Sequence, residues 1–317
     1  MDSILKNNVD LMINNYIKSK NKLKYDGDLL NHFAALILTN SAKELNYEKI
    51  RAIRKFIKDS TSWFSTFRGN NLYVISILLS LEADWQQRFR RIQQWEEHLK
   101  DNGFVESPYL SIGIWILTEN FRDEDMYTVS EKMREIFLLM KQEYYNVTSS
   151  DDYIICAILV TQGLNSYTYM DITNKAYDRI TEYDFTTNNG AQTLATILCT
   201  SPDKWNDNLE KAIDICRLVK SNVGSIQPQY VGVIGVAATV INDADDFIRE
   251  VYSVEKYLNG LADYQFFMDR GFKLMISMFM VILSKKKLKT NYLNSIMALI
   301  INYSLVSQQQ AMISRAN

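Results

Sequence analysis

The chain has 317 residues, of which 47% are hydrophobic and 23% charged, and its formal net charge is −2 at pH 7. This composition supplies a substantial core and excludes a largely disordered chain. It also disfavours nucleic acid as the principal partner, because phosphate neutralisation needs a basic excess. Glycine and proline number only 11 and 3, and this scarcity favours long helices over sheets joined by tight turns.

In chain order, the first predicted element is a helix from Ser3 to Leu23. Seven short apolar segments follow, with starts roughly 36 to 44 residues apart. They are Leu29–Leu38, Leu72–Leu79, Pro108–Leu117, Asp152–Leu159, Ala191–Leu198, Tyr230–Ala237 and Phe272–Leu283. Their apolar residues are near-continuous rather than alternating, which predicts helices buried on most sides rather than strands. A last helix is predicted from Asn291 to Ser314.

A longer amphipathic stretch follows each apolar segment. The clearest is Trp85–Leu99, in which Trp85, Phe89, Ile92, Trp95 and Leu99 share one helical face. Ser130–Tyr144 and Asn208–Val219 repeat this pattern. All three prolines, Pro108, Pro202 and Pro228, lie at predicted helix boundaries. Each unit is therefore predicted to be a buried helix followed by a half-exposed one.

One such helix pair cannot cover its own apolar face, so neighbouring pairs are expected to stack. The fold class predicted is all-α, an α-solenoid of antiparallel helix pairs, with a compact multi-helix bundle as the alternative. We expect one domain over residues 1–317. It would comprise an N-terminal capping helix in 1–27, helix-pair repeats in 28–287 and a C-terminal capping helix in 288–317.

The pattern aromatic–Leu–x–x–Ala–x–Leu–Leu, followed by an amphipathic helix, is carried by Leu72–Glu82, Tyr109–Leu117 and Asp151–Gln162. With these segments the chain resembles a bacterial family of domains of unknown function, family four-thousand-and-three (DUF4003). Ser307–Ile313 is similar to the C-terminal end of that family. The resemblance would extend over nearly the whole chain. It implies an all-helical, cytoplasmic bacterial protein and transfers no catalytic residue.

Motifs for catalysis or ligand binding are not found in the sequence. His32 lies in an apolar helix and His98 has no second His or Cys nearby, so neither is predicted to bind a metal. Cys156, Cys199 and Cys216 are expected to be buried, reduced thiols. The spacing of Gly232 and Gly235 indicates close helix packing. We therefore predict no catalytic, cofactor-binding or metal-ligating residue and no cofactor.

Two basic clusters are the candidate partner-binding residues: Arg88, Arg91 and Lys100 in the first, and Arg51, Arg54 and Lys58 in the second. Basic residues among aromatic ones can bind acidic partners, although a solvated outer face has the same composition. The favoured function is a non-catalytic, cytoplasmic module that binds a protein or peptide on a solenoid surface. The alternative is an enzyme or small-molecule sensor with a site between repeats, and nucleic-acid binding is a weaker one.

The sequence also bears on membrane association and assembly. The most apolar segment, Phe272–Leu283, is shorter than the roughly 20 residues that a membrane-spanning helix needs, so no span is predicted. The N-terminal residues carry no pattern of a signal peptide. Oligomeric state is left open by the sequence.

Overall fold

The computed structural model describes residues 1–146, 148–183, 186, 188–223, 226–265 and 269–316, and this part of the chain is helical without any strand. The all-α prediction is therefore confirmed. Contacts divide the chain into two compact units. Unit A consists of Leu11–Ser166 and Thr290–Asn302, and unit B consists of Met1–Asp10, Tyr167–Lys289 and the residues from Tyr303 onward. The single repeat domain stays a prediction.

The helices alternate between short apolar and longer amphipathic ones. Unit A contains α2 Asp28–Asn40, α3 Tyr47–Ser60, α4 Asn70–Leu79, α5 Trp85–Asp101, α6 Pro108–Asn120, α7 Met126–Glu143 and α8 Tyr153–Thr161. Unit B contains α9 Ser166–Thr181, α10 Asn188–Leu198, α11 Trp205–Val223, α12 Pro228–Val240, α13 Ala244–Asn259, α14 Ala262–Gln265 and α15 Arg270–Lys285. Three helices have residues in both units: α1 Ser3–Lys22, α16 Thr290–Ala316 and α9, of which only the first residue, Ser166, belongs to unit A.

The apolar segments form inner helices that are buried almost all round. In α8 every residue from Tyr153 to Val160 is buried, and in α12 the same is true from Val231 to Ala238. The outer helices bury one face only, as the periodicity predicts. In α5 that face is Phe89, Ile92, Trp95 and Leu99, whereas Trp85 at its start is half-buried.

Helix boundaries follow local capping chemistry. Ser107 Oγ accepts a hydrogen bond from the Leu110 N–H at 3.2 Å, and Pro108 occupies the first turn of α6. Asp243 Oδ1 caps α13 through the Asp246 N–H at 2.8 Å. After α5 the chain turns at Gly103, whose φ of 90° is a conformation that favours glycine. The three positions carry serine, aspartate and glycine, residue types that favour caps and turns.

The start of α16 is a buried inner element of unit A. Residues 293–302 are buried throughout. Asn40 at the end of α2 donates to Thr290 O at 2.9 Å and to Asn294 Oδ1 at 2.7 Å. Asn291 Nδ2 donates to Glu119 Oε2, near the end of α6, at 2.8 Å. The ends of two inner helices are therefore joined to the chain's own last helix.

Several single-residue expectations can be compared with this arrangement. The thiols of Cys156, Cys199 and Cys216 are free and buried. His32 is fully buried and stacks on Tyr16 with ring centroids 3.7 Å apart. A Cβ at Gly235 would lie 3.0 Å from Ile197 and Leu194 side-chain atoms, as expected of close packing between α12 and α10. None of the described helices is long and apolar enough to cross a membrane.

Candidate protein-binding surface

Basic side chains of the outer helices cap the ends of inner helices about thirty residues further along the chain. Lys49 Nζ of α3 donates to Glu82 O, just beyond α4, at 2.5 Å. Arg91 of α5 donates to Thr118 O at 2.8 Å and to Phe121 O at 2.5 Å, both at the end of α6. In unit B, Lys211 Nζ of α11 makes the equivalent hydrogen bond to Ile241 O, just beyond the end of α12, at 3.1 Å. Cations are favourable there because a helix C-terminus presents unpaired carbonyls and the negative end of its dipole.

Three of the six candidate partner-binding residues are held by contacts within unit A. Arg88 pairs with Glu119 at 2.7 Å and bonds to Trp115 O and Thr118 O, and its side chain is only 12% exposed. Arg91 also pairs with Asp123 at 2.5 Å. Arg54 pairs with Asp26 at 2.5 Å and lies over the Tyr73 ring. These guanidinium groups are bound within unit A.

The other three candidates are more accessible. Lys100 is half-buried and lies 3.7 Å from Glu106. Arg51 and Lys58 are exposed on α3 and, within the described residues, have no ion-pair partner. Contact between these six residues and a partner stays a prediction. The structure divides them into three side chains that are held by internal contacts and three that are more accessible to solvent.

The capped helix ends form what we call the polar edge of unit A, made by the ends of α2, α4 and α6 with the start of α16. Its central residue is Glu119, which bonds to Arg88, Asn291 and Glu82. Burial, together with the hydrogen bond to Glu82, raises the pKa of Glu119 to about 7, although Arg88 opposes this rise. A carboxyl group that titrates near neutrality is common in active sites. Here each oxygen of Glu119 already has an internal partner.

The loops that lead from an outer helix into the next inner helix lie at the opposite edge, because short connections make each pair antiparallel. Large apolar side chains are exposed in all four such loops of unit A. They are Tyr25, Trp63, Phe64, Val105 and Tyr145, exposed by 85%, 81%, 93%, 66% and 74%. We call this set the aromatic edge. Trp63 and Phe64 are adjacent, and they are the most apolar part of it.

Neighbouring loops of the aromatic edge are joined by hydrogen bonds. Thr66, in the loop before α4, lies 3.3 Å from Ser111 Oγ at the start of α6. The Val105 N–H, in the loop before α6, donates to Tyr153 Oη at the start of α8 at 3.2 Å. The loop before α4 therefore lies beside the start of α6, and the loop before α6 beside the start of α8.

The loop that carries Trp63 and Phe64 is held by its neighbours on both sides. The Arg68 guanidinium donates to three carbonyls at 2.6 to 3.1 Å, those of Lys58, Thr61 and Ser62. Asn71 Nδ2 donates to Thr66 O at 2.7 Å. Phe67 is buried and packs edge-to-face on Phe89, with centroids 5.0 Å apart. The loop thus buries Phe67 while Trp63 and Phe64 stay exposed.

A buried carboxyl group lies beneath this loop. Glu96 of α5 is 7% exposed and accepts hydrogen bonds from Thr66 Oγ1 at 3.1 Å and from Ser111 Oγ at 3.2 Å. Burial raises the pKa of Glu96, and the two hydroxyl groups lower it in part by stabilising the charged form. Glu96 therefore ties the loop to both α5 and α6.

Basic residues lie on the helix that leads into Trp63 and Phe64. Arg51, Lys55 and Lys58 are exposed on one side of α3 at spacings of four and three residues. The Arg90 guanidinium of α5 joins them, 6.0 Å from the Phe56 ring centroid. These four residues are called the basic face. They outnumber the two exposed acids of α3, Glu48 and Asp59, and the three members that lie on α3 have no ion pair within the described part of the chain.

Unit B contains a cavity of about 520 Å³ between the end of α12, the helix α13 and the end of α15. Charged residues line it, but they bond to one another. Lys285 pairs with Glu250 at 2.6 Å and Lys287 donates to Val240 O at 2.7 Å. Its polar groups therefore stabilise helix ends, as at the polar edge of unit A.

The described fold defines an all-helical protein of alternating inner and outer helices, with one apolar exposed edge in unit A. The family model for the protein of unknown function DUF4003 matches residues 15–311, so the chain belongs to this family, as its helix pattern indicated. The chain matches no curated protein and no solved structure.

Sequence reasoning identified the basic face in part but missed the aromatic edge. The signal was present: Trp63 and Phe64 lie in the polar run Ser60–Ser65, outside any helical apolar periodicity. Large apolar residues in such a position have no predicted core to enter. The role of Arg88 and Arg91 was also detectable, because they precede the end of the next apolar segment by about thirty residues, as Lys49 and Lys211 do.

Proposed function

We propose that this protein is a non-catalytic, cytoplasmic binding module whose helix pairs stack as an α-solenoid and whose partner is a protein or peptide bound at the aromatic edge of unit A. The observation that supports it is the exposure of Trp63 and Phe64 on a loop held by Arg68, Asn71 and Glu96. Burial of such a side chain contributes about 1.5 to 3 kcal/mol. Two exposed ones adjoining each other are typical of a binding hot spot.

Preorganisation strengthens this argument. A loop that must be ordered on binding loses conformational entropy, and that loss lowers affinity. The loop before α4 is already fixed through its buried Phe67 and through side-chain hydrogen bonds to its backbone. The opposite edge, at the ends of α2 and α6, already bonds to the chain's own α16. The loop edge is therefore the better candidate surface.

The test is affinity capture from the native bacterial lysate with three tagged proteins: wild type, W63S/F64S and Y127S/L138S. The second variant is a matched control, because Tyr127 and Leu138 are exposed apolar residues of α7, away from the aromatic edge. We expect a stoichiometric protein partner on wild type and on Y127S/L138S that is absent from W63S/F64S. Identical protein profiles on all three would refute the proposal, and a retained small molecule without a protein would favour a ligand sensor.

A further inference from the structure

We infer that the partner segment is acidic and carries a large apolar side chain, with its acidic residues on the basic face and its apolar residue against Trp63 and Phe64. This inference rests on the proposed function and adds the chemistry of the partner. It depends on the short distance in sequence between the basic face and the exposed aromatic side chains of Trp63 and Phe64. Lys58 at the end of α3 is only five residues from Trp63, so cationic and aromatic groups meet within one short stretch.

Charge complementarity supports an acidic partner. Arg51, Lys55 and Lys58 are available for a new contact, since no carboxylate of the described residues pairs with them. Lys22 and Lys24 add two exposed cations beside Tyr25, in the neighbouring loop of the same edge. Arg88 and Arg91, by contrast, are bound to the end of α6. Lys58 is thus a free cation five residues from Trp63, and Lys24 lies over the Tyr25 ring.

The loops that carry Val105 and Tyr145 form the other half of the aromatic edge, and the charged residues near them are mostly acidic. This charge distinguishes between classes of partner. Glu97, Asp101 and Glu106 lie near Val105, and Glu143 lies near Tyr145; all four are exposed, and they outnumber the neighbouring Lys100 and Lys141 although Lys100 pairs with Glu106. A flat anionic membrane that touched Trp63 and Phe64 would also approach these carboxylates and be repelled. A nucleic acid that extended along the edge would meet the same repulsion. A polypeptide segment can place its acidic residues at the basic half alone, so it fits the surface better.

The difference in charge along the edge also orients the partner. Neighbouring packed helices lie about 8 to 10 Å apart, and an extended chain rises about 3.3 Å per residue. One step between neighbouring helices therefore corresponds to about three residues of the partner. We expect acidic residues within about three to six residues of the apolar anchor and none opposite Glu97 and Asp101.

The experiment is a selection from a library of random 16-residue peptides displayed on phage, with wild-type protein as bait and W63S/F64S as counter-selection. Enriched peptides are then synthesised and their affinities measured by fluorescence anisotropy. The variants are K55E/K58E and, as a matched charge reversal on α7, K132E/R134E. We expect acidic peptides with an aromatic or large aliphatic residue, a loss of roughly tenfold or more in K55E/K58E and little change in K132E/R134E. Affinity should also fall in 1 M salt, where the Debye length is only about 3 Å.

The outcomes separate this inference from the proposed function. Enriched peptides that depend on Trp63 and Phe64 but are neutral or basic would overturn the acidic partner and leave the binding module standing. No peptide dependent on Trp63 and Phe64 would count against both. The last comparison is a flotation assay with vesicles of anionic phospholipid. If wild-type protein binds the vesicles and W63S/F64S does not, the partner is a membrane surface rather than a peptide, and the inference is overturned.

Discussion

The two edges of unit A differ in what their charged and apolar side chains contact. At the polar edge, Lys49, Arg88 and Arg91 bond to carbonyl groups at the ends of inner helices. At the aromatic edge, Trp63 and Phe64 contact little of the chain and remain in solvent. Residues of the first kind stabilise the fold, and residues of the second kind are available to a partner. Residue type alone does not distinguish the two kinds of residue, since arginine and tryptophan are both common in binding sites.

The largest expected effect is the loss of stability in R88A. Arg88 is nearly buried, pairs with Glu119 and bonds to two carbonyls of α6. Removing one partner of a buried ion pair costs about 3 to 5 kcal/mol. We expect a decrease of about 3 kcal/mol in the free energy of unfolding, measured by urea denaturation. R90A, the exposed neighbour on α5, is the control and should change it by less than about 0.5 kcal/mol. Equal effects would remove the distinction between bound and available arginines.

The second prediction concerns the pH dependence of stability. The pKa of Glu119 is raised from 4.5 to about 7, so the folded state binds more protons than the unfolded state between these values. Stability is therefore greatest below about pH 4.5 for this group and falls as the pH rises towards 7, by up to about 3 kcal/mol in total. In E119Q this decrease should be absent from melting temperatures measured between pH 5 and 8.

Glu82, Arg88 and Arg91 face Glu119 and are retained in that variant, so the change in slope reports on the loss of the Glu119 carboxyl group and of its interaction with Glu82. E135Q, an exposed glutamate of α7, is the control and should keep the wild-type slope. Parallel slopes in E119Q and wild type would mean that the polar edge does not hold a protonated carboxyl group at neutral pH.

A smaller effect is expected where the aromatic edge is attached to the core. T66V removes one hydroxyl donor to Glu96 and keeps the volume of the side chain nearly unchanged. Loss of this hydrogen bond should cost about 1 kcal/mol. The cost should be greater at pH 8 than at pH 5, since the hydroxyl lowers the pKa of Glu96 by favouring its charged form. Thermal melts of T66V and of T128V, an exposed threonine of α7, measure the difference. An unchanged melting temperature in T66V would show that Glu96 does not hold the loop.

The smallest effect on stability should come from W63S/F64S, the substitution that we expect to abolish binding. Both side chains are more than four-fifths exposed, so little buried apolar area is lost and the free energy of unfolding should stay within about 0.5 kcal/mol of wild type. Urea denaturation measures this directly. A decrease above about 2 kcal/mol would place these residues in the core and would make any loss of binding a consequence of unfolding.

Much of the fold was predictable because helix formation depends on local patterns. The spacing of Phe89, Ile92, Trp95 and Leu99 predicted the buried face of α5, and all four residues are buried. Pro108 predicted a helix boundary, and α6 begins at this residue with Ser107 as its cap. The candidate site was less predictable. Arg51 and Arg54 differ by three positions in one helix, yet only Arg54 meets a carboxylate, Asp26 of a preceding loop.

The sequence by itself determined the all-helical class, the alternation of inner and outer helices, and the membership in the family DUF4003. These depend on composition, on the 3.6-residue period and on caps, all of which act within a few residues. Only the tertiary structure decided which cations are bound, that Glu119 meets Asn291 from the far end of the chain, and that Trp63 and Phe64 stay exposed. Exposure and ion pairing depend on groups distant in sequence, and a single chain without coordinates does not specify which of them become neighbours.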